Sequence, residues 1–283
     1  TSLWFIEDSV ARDDVAGALA QYNLVLQSSA ESIEILYPQL LNALGSPQIR
    51  KAFLPYVRKI PAWMVPFLSY AVGKSEDPSS IADIIKAARG KIGQSAKGDF
   101  EKGLLATLIS ARKFSDAKSL YQHFKDSDPS LLTSPGLTNA STSGLFSAMG
   151  WQASSSASAG ISFRNEAETP PIMEAFAASG DRQVVARKLL YLPPGRHKFI
   201  VRHGRAEFPF DSGMAWYLRC AIAQDFPVIW KSDQIVAKPD SVYQTTIDIA
   251  PVCDVQYLEV EMVGGQAQQG AEIEITAIAL SRV

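Results

Sequence analysis

The chain has 283 residues, 47% apolar and 20% charged, a balance that buries a core and excludes global disorder. Its 27 basic and 29 acidic residues leave a formal net charge of −2, so no basic excess exists to neutralise a phosphate backbone, and no nucleic-acid partner is expected. No apolar run reaches the roughly 18–20 residues that span a bilayer, and the length suits one large domain or two ordinary ones.

The chain starts at Thr1 without Met and reads as a piece cut from something longer. Thr1–Asp14 has neither the basic stretch nor the apolar stretch of a signal peptide, so a signal or anchor would lie upstream. From Val15 to about residue 125, apolar residues recur at threes and fours, which predicts about seven helices joined by short turns. Asp13 and Asp14 stand at the start of the first, where the helix dipole favours acid. The second is Ile33–Leu44, which Pro38 should kink or split. Gln48–Lys59, Ala62–Val72, Ser79–Ile92, Asp99–Ala111 and Ser115–Phe124 follow. Asp77-Pro78 supplies a cap and a first-turn proline for the run that starts at Ser79. Short connections imply antiparallel neighbours.

Residues 127–144 are dominated by Ser, Thr, Pro and Gly and read as a linker. Asn139-Ala140-Ser141 within it matches a glycosylation sequon. Beyond the linker, period two takes over in about nine short runs with turn residues between most of them. Many short strands without interposed helices predict an antiparallel sandwich or barrel. Phe199 and Val201 alternate against Lys198, Ile200 and Arg202. Trp216, Leu218 and Cys220 share one face of another strand, with Tyr217 and Arg219 on the other. The expected layout is therefore α then β: helices over 1–126, a linker over 127–144 and a β-sandwich over 145–283.

Two resemblances accompany this layout. Arg12–Tyr22 and Leu108–Tyr121 are similar to tetratricopeptide repeats, although Lys113 stands where that family usually has Gly. The stretch Leu190-Tyr191-Leu192-Pro193-Pro194-Gly195-Arg196-His197-Lys198-Phe199, the segment Ala215–Cys220 and the closing Gln256–Val260 and Glu274–Leu280 resemble a jelly roll of the carbohydrate-binding-module type. The combination is similar to uncharacterised sphingomonad-type bacterial envelope proteins associated with polysaccharide. The resemblance implies an oligosaccharide or polysaccharide ligand for the sandwich and a protein partner for the helices.

The sequence carries few chemical motifs. His197 and His203 lie about 20 Å apart along one strand, and His123 belongs to the helical part, so no zinc site is expected. Glu207 with Asp211, and Asp233 with Asp240, are read as solvated turn acids before calcium ligands. No nucleophile elbow or phosphate loop occurs, since Gly144–Gly150 has the wrong spacing and Ala88–Gly93 lacks the glycine pattern. A carboxylate pair for glycoside hydrolysis is defined by distance, not spacing, and Glu166, Glu168, Glu207, Asp211 and Glu259 qualify only by type. No catalytic residue, cofactor or metal is assigned.

The aromatic residues carry more. Trp151 and Trp216 are assigned to the core. Tyr217 beside Arg219, and Trp230 at a strand end, are the candidate ligand platform. In the helical part, Pro61–Leu68 is the strongest apolar cluster. Core packing is its first reading, and Trp63, Phe67 and Tyr70 are candidates for protein docking. Cys220 and Cys253 leave two readings open. They are buried thiols packed as small apolar groups, or a disulfide closing a loop of roughly 30 residues, worth about 2–4 kcal/mol. The disulfide implies an oxidising, periplasmic or cell-envelope setting. The leading functional expectation is a non-catalytic envelope adaptor that binds glycan through the sandwich and protein through the helices. The alternatives are a protein-binding scaffold for polysaccharide production or export without sugar affinity, and a glycan-active enzyme.

Overall fold

The computed structural model describes residues 2–29, 31–88, 94–124, 127–139, 141, 147–165, 170–266 and 269–283, with backbone only for 2, 3, 7, 88 and 94–99. The chain divides into two compact units, Thr1–Lys125 and Asp126–Val283. Glu166 and Glu168, and part of the Ala88–Gly93 and Gly144–Gly150 segments, lie outside the described residues.

The first unit holds eight helices among the described residues: α1 (Ser2–Ala11), α2 (Val15–Ser28), α3 (Ile33–Ala43), α4 (Pro47–Lys59), α5 (Met64–Lys74), α6 (Pro78–Ala88), α7 (Gln94–Ser110) and α8 (Phe114–His123). The Asp14 carboxylate accepts from the Gly17 amide at 2.9 Å and so caps α2. Of the kink or split expected at Pro38, the split does not occur, and α3 runs on to Ala43. The helix α1 was not foreseen at all. From α2 onward each helix packs against the helix two places later, which sorts even and odd helices into two layers. Tyr37, Phe53, Trp63 and Phe67 form a buried aromatic knot in this stack, with ring centroids 5.3–6.1 Å apart.

The second unit is a β-sandwich of two five-stranded antiparallel sheets. Its strands are β1 (Trp151–Ala153), β2 (Ala159–Arg164), β3 (Ile172–Ala177), β4 (Arg182–Leu190), β5 (Gly195–Glu207), β6 (Gly213–Cys220), β7 (Val228–Lys231), β8 (Val242–Ile249), β9 (Gln256–Val263) and β10 (Ala271–Arg282). The first sheet has the order β1-β4-β9-β6-β7 and the second β2-β3-β10-β5-β8. Gly195 enters β5 with φ +123, a conformation that favours glycine after the two prolines.

The sandwich core draws alternate residues from both sheets, as period two requires. Trp216 is fully buried there, edge-on to Phe199 at 5.3 Å and to Trp151 at 6.2 Å. The segment read as a linker instead belongs largely to this unit. Leu131, Leu132 and Leu137 are buried, the Trp151 indole N–H donates to the Pro135 carbonyl at 2.9 Å, and the Tyr191 amide donates to Leu132 at 2.7 Å.

Lys188 and His203 are two of the titratable groups buried in the sandwich. Lys188, directly opposite the core residues Trp151 and Leu258, has no solvent exposure and its Nζ has no hydrogen-bond partner among the described residues. Burial pushes its amine down to about 8, against a raising effect from Asp128. His203 accepts no proton easily. Ser241 Oγ donates to the Lys238 carbonyl, so it accepts from Nδ1 of His203 at 3.2 Å, which leaves Nε2 buried and without a partner among the described residues. Burial lowers this imidazole to about 4.

Both groups make stability depend on pH. Between pH 8 and 10.5 only the unfolded chain holds the Lys188 proton, so stability rises with pH across that window. Below it the penalty reaches its full size, on the order of 3 kcal/mol. We expect Lys188→Met to raise the unfolding free energy at pH 7 by up to that amount and to flatten the rise above pH 8 in urea titrations. For His203 the unfolded chain takes the proton near 6.5 and the folded chain near 4, so stability falls as pH drops through that interval. His203→Gln is expected to flatten this acid limb, read from melting temperatures between pH 4 and 7.

Candidate ligand-binding groove

Antiparallel pairing sets which side chains leave the first sheet outward. Trp216 lies opposite Val260 and Leu218 opposite Leu258, all in the core, so Tyr217 and Arg219 on β6 emerge beside Tyr257, Glu259 and Glu261 on β9. The same parity places Arg187 on β4 outward, opposite Glu259, and Lys231 on β7 outward, opposite Tyr217. A groove of about 310 Å³ opens on this face, lined by Val184, Arg187, Arg219, Phe226, Tyr257 and Glu259.

Hydrogen bonds fix the groove's polar groups. Arg219 Nε donates to Glu259 Oε2 at 2.7 Å and Nη1 donates to the Phe226 carbonyl at 3.2 Å. Both side chains of that pair are largely shielded, at 29% and 13% exposure, so the pair is held more firmly than a surface one. Glu261 accepts from Tyr217 Oη at 2.8 Å and from Arg182 Nη2 at 2.9 Å. Burial alone would raise the Glu261 carboxyl, but these two hydrogen bonds and the charges of Arg182 and Lys231 outweigh it and hold it below its ordinary value. An acid so depressed stays ionised at neutral pH and cannot serve as a general acid there. Arg187 Nε donates to Gln152 Oε1 at 3.2 Å.

The rings of this face are covered by cations. The Arg187 guanidinium carbon lies 5.2 Å from the Tyr257 ring centre, while that of Arg219 lies 5.4 Å and Lys231 Nζ 5.0 Å from the Tyr217 ring centre. Tyr217 is consequently only 7% exposed and offers no open platform, which corrects the sequence expectation. Arg219 does stand in the groove, half-buried. Trp230 does not join them. It lies opposite Leu218, so its ring turns to the core side and meets Phe199 at 5.7 Å.

The docking candidates are also corrected. Trp63 and Phe67 are buried in the helical knot, and the Trp63 indole donates to Asn23 at 3.1 Å. Tyr70 is half-buried and lines a hollow of about 430 Å³ with Pro38, Leu41, Asn42, Lys74 and Asp77. Cys220 and Cys253 are disulfide-bonded. Among the described residues no group of three or more His, Cys, Asp or Glu side chains is placed to hold a metal ion, and Glu207 is paired with Arg205.

Sequence reasoning missed Arg187, Phe226 and Tyr257. The alternation of Tyr257, Glu259 and Glu261 against Leu258, Val260 and Met262 carries the signal for β9. No such signal exists for Arg187, because a bulge between Val184 and Ala186 breaks the parity of β4.

No family model matches the chain, and no curated protein matches it. Solved structures similar to it include the enzymatically active domain of bacteriophage CBA120 tailspike protein 4, at 7% identity and TM-score 0.35 over 47% of this chain and 19% of that one. A putative sugar binding protein from Bacteroides thetaiotaomicron matches at 10% identity and TM-score 0.33, over 47% of this chain and 87% of that one. The C-terminal family 22 carbohydrate binding module of Clostridium thermocellum Xyn10B matches at 15% identity and TM-score 0.32, over 47% and 84%. The chain thus spans about a fifth of the tailspike domain.

The two faces of β7 make a direct check. Trp230→Ala is expected to destabilise the sandwich by about 2–4 kcal/mol, as loss of a core aromatic does. Lys231→Ala, on the outward face, should stay within about 0.5 kcal/mol. Urea denaturation of both variants reads the difference.

Proposed function

We propose that the protein is a non-catalytic glycan-binding adaptor of the bacterial envelope, with the groove on the first sheet as its saccharide site. One observation carries this reading. Two guanidinium groups, a carboxylate and two aromatic rings converge on a groove of about 310 Å³ whose floor is a rigid, hydrogen-bonded sheet. Saccharides are bound by such sets, in which few fixed donors and acceptors orient hydroxyls and an apolar wall covers the ring. The disulfide favours a periplasmic or envelope setting, because such bonds persist where the compartment is oxidising. No helix among the described residues is long and apolar enough to cross a membrane.

The helical unit, read as tetratricopeptide-like hairpins, would dock a protein, with Tyr70 at the hollow between α3 and α5 as the contact. That hollow favours a second reading, in which the protein is a scaffold for polysaccharide production or export and the sandwich binds no sugar.

Arg219→Ala decides between them. It removes a donor to the ligand and the partner of Glu259 together. We expect at least a tenfold loss of affinity for the best polysaccharide of an envelope glycan array, by calorimetry, with the sandwich still folded by near-ultraviolet circular dichroism. Absence of binding by the unaltered protein across the array, at millimolar saccharide, would select the scaffold reading.

A further inference from the structure

Aromatic rings hold neutral pyranoses through bare faces. Here a cation already lies over the ring of Tyr257 in the groove, from Arg187, and cations from Arg219 and Lys231 lie over the ring of Tyr217 on the same sheet face. What the face presents to a ligand is therefore charge. The charged side chains on the outward positions of β4, β6, β7 and β9 are Arg182, Arg187, Arg219 and Lys231 against Glu259 and Glu261. Glu259 is spent on Arg219 and Glu261 on Arg182. Two cations remain. Arg187 donates only its Nε, to Gln152, so both terminal nitrogens have no partner among the described residues. Lys231 forms no ion pair among the described residues, although its charge is felt by Glu261. This local excess stands on a chain whose net charge is −2.

From this we infer that the groove takes an acidic saccharide, a uronate whose carboxylate is gripped by the two terminal nitrogens of Arg187. The inference rests on the glycan-binding reading above and names its ligand class. A guanidinium edge presents two parallel N–H donors that match the two oxygens of a planar carboxylate. A sulfate ester shares the charge but not the planar pair of oxygens. Arg187 and Lys231 stand on strands separated by β9 and β6, roughly 14 Å apart across the sheet. A chain bearing repeated uronates can meet both.

Calorimetry on the full chain tests this with hexamers of galacturonate, mannuronate and glucuronate, each beside its methyl ester, which keeps the backbone and removes the charge. Cello- and xylohexaose serve as neutral probes, and a sulfated dextran oligomer as the other anion. At least one uronate is expected to bind tenfold or more tightly than its ester. Arg187→Ala should bring that ratio below three, and Arg187→Lys should restore only part of it. Arg202→Ala, an exposed cation on the second sheet, should leave the ratio unchanged, which separates a site from diffuse charge. Equal binding of acid and ester, survival of the ratio in Arg187→Ala, or preference for the sulfated oligomer overturns the inference. Binding of neutral hexaoses without acid preference overturns it while leaving the glycan reading in place. Failure of every saccharide to bind ends both.

Discussion

The pairing of β6 with β9 is the constraint on which both the core and the groove depend. With Trp216 opposite Val260, one side of the pair supplies Trp216, Leu218, Leu258 and Met262 to the core, and the other supplies Tyr217, Arg219, Tyr257, Glu259 and Glu261 to the surface. A one-residue slip of β6 would drive Arg219 inward and expose the largest buried side chain of the sandwich, and one of β9 would drive Glu259 and Glu261 inward. The cost of such an error, unpaired charge in an apolar layer, is what makes the register unique. The groove is thus the outer consequence of an inner packing requirement.

The fold was legible in the sequence wherever one periodicity held for long enough. The change from threes and fours to twos near residue 130 reflects two ways of burying one face, and the described helices and sheets lie on the corresponding sides of it. Parity also assigned Trp216 inward and Tyr217 outward. It could not say what lies on top of Tyr217, because Lys231 arrives from a strand of four residues with a register shift. The same shortness hid the direction of Trp230. Composition misled over residues 127–139, where Ser, Thr, Pro and Gly outnumber three leucines whose burial decides the segment's place. For Trp63 and Phe67 the first reading, core packing, agrees with their burial, and the sequence left docking open beside it for a different reason. An apolar cluster on a helix looks alike whether a partner or the rest of the stack covers it.

Global charge proved a poor guide to the surface, and the reason is geometric. A sheet collects every second residue of several distant segments onto one face, so Arg182, Arg187, Arg219 and Lys231 gather although no two are close neighbours in a basic run. Cation–π contact then replaces ion pairing for Arg187 and Lys231. Such a contact is worth about 0.5–1 kcal/mol at exposed sites. That is enough to orient a side chain, but it leaves the hydrogen-bond donors directed away from the ring. The arrangement holds a cation in place without neutralising it, which an ion pair cannot do. The buried amine of Lys188 shows the opposite outcome on the inner face, where burial without a partner among the described residues lowers the amine to about 8 and presents its charge to no ligand.

The end of the groove is held by covalent and polar ties that act on the same three strands. Cys220 closes β6 and is bonded to Cys253, 33 residues later, just before β9 begins at Gln256. Gln256 is fully buried, accepts from the Leu192 amide at 3.0 Å and donates to the Cys253 carbonyl, which joins the segment after β4 to the same corner. The Cys220 amide donates to the Pro227 carbonyl at 3.0 Å, and Arg219 Nη1 to Phe226, so the loop between β6 and β7 is fastened at its root. Phe226 takes φ +46 there, a conformation costly for a non-glycine residue, and its ring meets Tyr257 at 6.0 Å. Such strain persists only where surrounding contacts over-determine the backbone. Here the disulfide, the glutamine and the arginine do so together, at the residues adjoining Arg219 and Tyr257. The wall of the groove is therefore a rigid element of the sandwich, and a ligand meeting it would pay little for ordering it.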